Sequence, residues 1–225
     1  MGEGQGEQRD QAGATTPRPA PGRRGAATRA RLMAAARDML KSASPIELTA
    51  IAVARAAGVA PPSFYVYFAD TRDLLLALAG EAAADLGALV RHFEGPWPPA
   101  DLNAWATAFV GDFVATWSAH GEVLAARNLE ADRGDPAFDD VRVDASLPVL
   151  KALGARILAS RPPGSKRVEA FAEAVIHYAV MERLASVEGR TRPIRLQPHH
   201  YKAAMARILV AALGGTPAGG DGARP

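Results

Sequence analysis

The sequence predicts an all-α fold in which a small basic N-terminal module joins a larger helical-bundle body, with about nine helices in total. Three observations carry this reading. Between residues 23 and 213 the chain is rich in alanine and leucine, with almost no alternation of apolar and polar residues. Apolar residues recur at helical spacing instead. Prolines, glycines and capping residues interrupt those periodic stretches at short intervals.

Composition limits what the chain can do. Its 225 residues are 48% hydrophobic, ample for a buried core. There is no cysteine, which excludes disulfides and thiolate metal sites and removes any reason to expect an oxidising compartment. No apolar run approaches the ~18 residues a membrane helix needs. The opening stretch MGEGQGEQRDQAGATTPRPAPGRRG has no apolar centre and does not read as a signal peptide, so a cytoplasmic protein with no membrane partner is expected. Net charge is only +2, but it is unevenly placed. Residues 23–67 carry Arg23, Arg24, Arg29, Arg31, Arg37, Lys41 and Arg55 against Asp38 and Glu47, a net of +5. A basic module on a mildly acidic body suggests a polyanion partner for the first part, or simply a solvated charged face.

The elements follow in order. Residues 1–22 are rich in Gly, Pro, Gln and Thr without periodicity and read as a disordered arm; 214–225 read as a tail of the same kind. A first helix runs from about Gly25 to Lys41, with Ala27, Leu32, Ala35, Ala36, Met39 and Leu40 on a broad apolar face. Thr49 is a good N-cap for a second helix that carries Val53 and Ala57 inward, and Gly58 follows as a left-handed C-terminal residue. Pro61 and Pro62 suit the first turn of a third helix, where a missing N–H loses no bond. Asp70 or Thr71 caps a long fourth helix reaching about Phe93, and EGPWPPAD breaks the chain. Five more helices are expected at 102–120, 122–132, 136–160 (bent or split near Pro148), 165–187 and 198–213.

The second and third helices, joined through AAGVA, have the spacing of a helix-turn-helix, which makes the N-terminal module a three-helix one. In such motifs the second of the two helices enters the DNA major groove. Phe64 and Phe68, at i and i+4, share one face and can pack on the helices before and after. That leaves Ser63, Val66 and Tyr67 opposite, with Tyr65 beside them. Tyrosine joins a flat apolar body to a hydroxyl that can bond a phosphate oxygen. The prolines leave the start of this helix without donors, so side chains must supply most contacts.

The run LTAIAVARAAGVAPPSFYVYFADTRDLLLAL, residues 48–78, resembles the DNA-binding signature of the TetR family of bacterial regulators. The resemblance implies a homodimer that binds double-stranded DNA, each subunit presenting its third helix to one half of a palindromic operator. Carried over by position, Pro61, Pro62, Ser63 and Val66 fall where the family touches bases. Thr49, Tyr65 and Tyr67 fall where it touches phosphates or adjoining base edges. This chain departs from the pattern in three places. Ala60 replaces the usual Ser or Thr cap, Ser44 stands where a glycine commonly ends the loop, and Thr71 replaces a phosphate-binding lysine for which Arg72 is a possible substitute. Arg23 and Arg24, with Arg18 behind them, read either as an arm reaching along DNA or as solubilising charges. The implied division is a DNA-binding domain over 23–69 and an effector-binding and dimerisation domain over 70–213.

In the body, Leu102, Trp105, Phe109, Phe113 and Trp117 recur at helical spacing, a stripe that suits either a core or a pocket. The resemblance implies a pocket for a small effector here, lined by Trp105, Phe109, Phe113 and Trp117, with Asn128, His177 and Tyr178 as inward polar groups. A hydrophobic or amphipathic effector would fit that lining, although a lone His177 also reads as a core histidine. Helix 165–187 is apolar on two sides, Phe171, Val175 and Tyr178 on one and Ala172, Ile176, Val180 and Val187 on the other. A helix buried on two sides needs two partners, and the second can be another subunit. Met205, Ile208 and Leu209 of the last helix are candidates to join it, and the resemblance implies a four-helix dimer interface built from these two helices.

No catalytic, cofactor or metal site is expected. There is no Gly-rich phosphate loop. Asp135, Asp139 and Asp140 open a helix, which its dipole explains. His199 and His200 are adjacent, so on a helix they diverge by about 100° and make a poor metal pair. Serines 63, 118, 146 and 186 have no obvious His/Asp arrangement. Two classes remain: a DNA-binding regulator, most simply a ligand-released repressor, and a helical small-molecule-binding protein or enzyme with a non-functional DNA module.

Overall fold

The computed structural model describes residues 23–42, 48–186 and 197–216. Among these, all regular structure is helical: α1 (Arg23–Ser42), α2 (Ala50–Ala56), α3 (Pro61–Tyr67), α4 (Thr71–Gly87), α5 (Leu102–Asp132), α6 (Pro136–Ala159), α7 (Arg167–Ala185) and α8 (Pro198–Ala212). A 3-10 segment over Ala88–Phe93 continues α4. The arm at 1–22, Ser44, Val187 and the tail beyond residue 216 lie outside the described residues.

Local punctuation forms as the sequence predicts. The Thr49 hydroxyl accepts from Ala52 N–H at 3.2 Å and caps α2. Asp70 accepts from Asp73 N–H at 2.8 Å, and the Asp73 carboxylate in turn accepts from Ala69 N–H at 2.9 Å. Asp101 and Asp135 cap α5 and α6 in the same way, at 2.9 and 3.0 Å. The start of α3 has no side-chain cap, as Ala60 in place of Ser or Thr requires.

The chain stays helical where a helix end was expected at Gly121 and a bend or split at Pro148. The helices anticipated at 102–120 and 122–132 are one helix of 31 residues, α5. Gly121 costs about 1 kcal/mol relative to alanine in a helix interior. Trp117, Val123 and Leu124 around it are all buried, and their packing carries the helix through. Pro148 likewise lies inside an uninterrupted α6. At the N-terminus α1 begins earlier than expected, so Arg23 and Arg24 occupy its first turn rather than an arm before it.

One continuous apolar cluster runs through the described residues. α6 lies against α7 and α4, while α5 packs on α4, α6 and α8. Gly154 permits the close approach of α6 and α7, since a Cβ there would sit 3.3 Å from the Phe171 Cα. α4 joins the two parts of the chain, with Leu74, Leu78, Ala82 and Leu86 fully buried along its length. At its start Arg72 donates from Nε and Nη2 to the two Asp135 carboxylate oxygens, at 2.6 and 2.7 Å, which ties α4 to the N-cap of α6.

The turn between α2 and α3 is held from outside. Gly58 adopts φ +65°, a left-handed conformation. From α1, the Arg31 guanidinium donates to the carbonyls of Ala57, at 3.1 Å, and Gly58, at 2.8 Å. A cation on the last carbonyls of α2 also suits that helix's dipole. Replacing Gly58 by alanine places a Cβ 3.3 Å from Arg31 and forces a left-handed alanine. We expect Gly58→Ala to lower unfolding free energy by about 1–2 kcal/mol, read from urea denaturation. An unchanged midpoint would contradict this turn geometry.

Candidate nucleic-acid interface and the helical body

α3 is a seven-residue helix whose inner face is anchored and whose outer face is open. Phe64 and Phe68 are buried, with ring centroids 5.7 Å apart, and the Arg29 guanidinium lies 5.1 Å over Phe68. Opposite them Tyr65 is 53% exposed and Val66 60% exposed, with Pro62 also exposed. Pro61 and Ser63 are half-buried. Tyr67 is half-buried as well and packs on the core, so it is less available than Tyr65.

α2 adds to this surface. Thr49 is exposed, and because its oxygen accepts from Ala52, its hydroxyl proton is left to donate outward. Ile51 is half exposed, a large apolar side chain that the sequence reading passed over. The signal was present, since Val53 and Ala57 point inward and Ile51 lies far around the helix from both. Across α2 and α3 the only charged side chain is Arg55, and α3 itself carries neither a charge nor a side-chain amide.

The cations divide into two groups. Arg23 and Arg24 are exposed at the N-terminal end of α1, where no acidic residue offsets them. Positive charge at the positive end of a helix dipole is unfavourable, and an external anion would relieve it. Lys41 pairs with Asp38 at 2.9 Å, and Arg37 pairs with Glu81. Arg72, expected to stand in for a phosphate-binding lysine, is committed to Asp135 instead and lies 5.7 Å from the Phe138 ring centroid. Arg72 holds the Asp135 carboxyl below its ordinary value.

In the body the expected aromatic lining is a packed file. Trp105, Phe109, Phe113 and Trp117 follow one another along α5 with centroid separations of 5.5, 6.5 and 6.5 Å, and Tyr178 meets Phe113 edge-on at 5.2 Å. Trp105 donates through Nε1 to the His92 carbonyl at 2.6 Å. Burial pushes the Tyr178 phenol up and the His177 imidazole down. A surface groove of about 380 Å³ lies elsewhere, lined by Asp85, Ala88, Arg91, Ala115, Thr116, Ala119 and His120. None of the expected ligand-lining residues borders it.

Asn128 leads to a group the sequence did not flag. Its Oδ1 accepts from Arg127 Nη2 at 2.9 Å, and its Nδ2 donates to Glu182 Oε1 at 3.3 Å. Arg127 Nη2 also donates to Glu182 Oε1, at 3.2 Å. Arg127 is only 2% exposed. Burial pushes its guanidinium below the ordinary value, and Glu182 opposes that shift. Val123, Leu124 and Ala131, at i−4, i−3 and i+4, are all buried, so Arg127 sits on the core stripe of α5. That position was the available signal.

α7 displays an apolar stripe with helical period. Val168, Ala172, Val175, Ile176, Ala179 and Val180 are all exposed, Ile176 by 61%. Val175 thus belongs to the outer face and not with Phe171 and Tyr178. On α8 Ile208 points outward, whereas Met205 and Leu209 are buried within the protomer. Those two, expected at a dimer interface, fill the core instead, because the inner face of α8 is spent on α5.

Among the described residues, no three His, Asp or Glu side chains are placed to hold a metal ion, and no helix is long and apolar enough to cross a membrane. No curated protein matches the chain in sequence. Residues 32–78 match the model of the bacterial regulatory proteins of the tetR family. Solved structures share the fold over most of their length. A bacterial regulatory protein in the tetR family from Rhodococcus RHA1 has 17% identity and a TM-score of 0.62, over 84% of this chain and 98% of its own. A tetR-family transcriptional regulator from Streptomyces coelicolor has 21% identity and a TM-score of 0.59, over 83% and 80%. The regulator FadR from Bacillus subtilis, in complex with stearoyl-CoA, has 12% identity and a TM-score of 0.61, over 81% and 98%. Identities this low carry the fold and nothing finer. Residues 32–78, with their pinned α3, are thus similar to the N-terminal module of the tetR-family regulatory proteins, and the body shares the fold of solved regulators of that family.

Proposed function

We propose that the protein is a cytoplasmic, non-enzymatic, homodimeric repressor that leaves a palindromic operator when an apolar or amphipathic effector binds its body. The observation that carries this reading is α3, whose outer face is uncharged and exposed within a basic module while its inner face is pinned by Phe64 and Phe68. The division into a DNA-binding domain at 23–69 and an effector and dimerisation domain at 70–213 belongs to the same reading. Pro61, Pro62, Ser63 and Val66 would meet base edges, with Tyr65, Tyr67, Thr49, Arg23 and Arg24 on phosphates or adjoining edges. The effector would lie beside Trp117, Asn128 and Tyr178. The stearoyl-CoA complex of a protein of similar fold supports an apolar ligand, as the aromatic file does.

The mechanism is a coupling free energy. α4 starts beside α3 and runs through the body against α5 and α6. An effector that prefers an arrangement of these helices with the wrong spacing between the two α3 helices weakens DNA binding, and DNA weakens effector binding by the same factor. The uncovered stripe on α7 (Ile176, Val180) and Ile208 on α8 supplies the two-fold contact, which in turn demands a two-fold operator.

The side chains of α3 restrict how it can read. With no Arg, Lys, Asn or Gln, bidentate hydrogen bonds to guanine or adenine are unavailable to it. Val66, Pro62 and the ring of Tyr65 are suited to thymine methyl groups, with hydroxyls as the polar readers.

Random-duplex selection on the purified protein should enrich a palindrome, and no enrichment at low salt would overturn the regulator reading. On the selected site, Val66→Ala and replacement of contacted thymines by deoxyuridine should each weaken binding severalfold; equal binding would exclude methyl readout. Arg72→Met should leave the salt slope of DNA binding unchanged, whereas a phosphate-contacting arginine would lower it by about one unit. Ile176→Glu should convert the dimer to a folded monomer in analytical ultracentrifugation, and a persisting dimer would place the interface elsewhere.

A further inference from the structure

Two buried donors in the body have no acceptor among the described residues: Arg127 Nη1 and Trp117 Nε1. Both side chains lie on α5 and are almost entirely buried, at 2% and 1% exposed. They belong to one place, since the Arg127 guanidinium carbon lies 5.9 Å from the Trp117 ring centroid. Leaving a buried donor unmet is costly, and more so when it carries charge. Arg127 already spends Nη2 on Asn128 and Glu182, and its Nε on Asn128 at 3.1 Å. Nη1 is the part of the fork that the protein leaves over.

The surroundings specify the rest of a ligand. Phe113 stacks on Trp117 and meets Tyr178 edge-on, so the two donors stand against an aromatic wall. Glu182 neutralises Arg127 on one side only. Arg142, from α6, adds positive potential near Arg127, although its own guanidinium is paired with Asp132 and Asp139.

We propose that Arg127 Nη1 and Trp117 Nε1 form the polar end of the effector site and donate to the carboxylate of an apolar effector whose hydrocarbon part lies along Phe113 and Tyr178. This rests on the reading of the body as the effector site and deepens it from an apolar ligand to an apolar carboxylic acid. Guanidinium and indole N–H offer donors only, so a ligand presenting an amine or another donor would be rejected. The assignment gives Arg127 the role of a binding residue, with Asn128 and Glu182 positioning its guanidinium.

The test uses the full-length protein and two matched ligand sets: naphthoate, naphthamide and methylnaphthalene, and decanoate with decanamide. Binding is read by calorimetry and thermal shift. Each carboxylate should bind at least roughly tenfold more tightly than its uncharged counterparts, as a charged hydrogen-bonded pair gives. Trp117→Phe removes the indole N–H but also leaves a cavity in the core, so the free protein should melt at a lower temperature, and the readout is the affinity ratio within each ligand set. The same variant should lower carboxylate affinity severalfold and leave methylnaphthalene unaffected. Arg127→Met should abolish the carboxylate preference. Equal binding within each set, or no effect of Trp117→Phe on the carboxylates, would overturn the proposal while leaving an apolar effector in place. Failure of every compound to bind would overturn both.

Discussion

The packing of Phe64 and Phe68 beneath α3 is the contact on which the N-terminal module depends. A helix of seven residues is too short to hold itself in water, and this one lacks a side-chain cap. Its form is set by tertiary contact: two phenylalanines one turn apart are buried, and Arg29 lies over the second ring. Once that face is fixed, the identity of the opposite face follows from helical geometry. Tyr65 and Val66 are outside because Phe64 and Phe68 are inside. Arg31 completes the arrangement by tying α1 to the carbonyls at the end of α2, so all three helices of the module are placed by contacts that converge on one turn.

The body follows a different logic. α5 carries an aromatic file on one side and Arg127 further along, and it packs on α1, α4, α6, α7 and α8. Such a helix tolerates an internal glycine because packing holds it. α7 faces the core with Ala170, Ala174, Tyr178 and Met181, and it turns Val168, Val175, Ile176 and Val180 outward. Surface ion pairs contribute little to stability on their own. The bidentate Arg72–Asp135 pair acts through position more than energy, since it fastens the start of α4 to the start of α6. Under the proposed function, a shift of α6 around an effector would thereby reach the residues that follow α3.

The features legible in the sequence were those that short segments determine alone. Thr49, Gly58, the paired prolines and Asp70 mark helix ends by local chemistry, and each does so in the structure. The i, i+4 spacing of Phe64 and Phe68 was enough to divide α3 into two faces. Other features depended on partners far along the chain. Continuity through Gly121 and Pro148 is decided by packing, which no local propensity reports. Arg72 looked like a DNA contact because its partner is 63 residues away, and the Arg127–Glu182 pair spans 55. Met205 and Leu209 were correctly apolar, but a single sequence cannot say whether an apolar face meets its own core or a second subunit.

In the proposed function the outer face of α3 lies against base edges in the major groove. Photo-cross-linking tests it most directly, with the selected duplex carrying iododeoxyuridine, whose iodine replaces the thymine methyl group, at each thymine in turn. Peptide mapping of the adducts should place the cross-links on the α3 segment, at Tyr65 or beside it. Cross-links that fall only on the body, or on α1 with none on α3, would contradict the account.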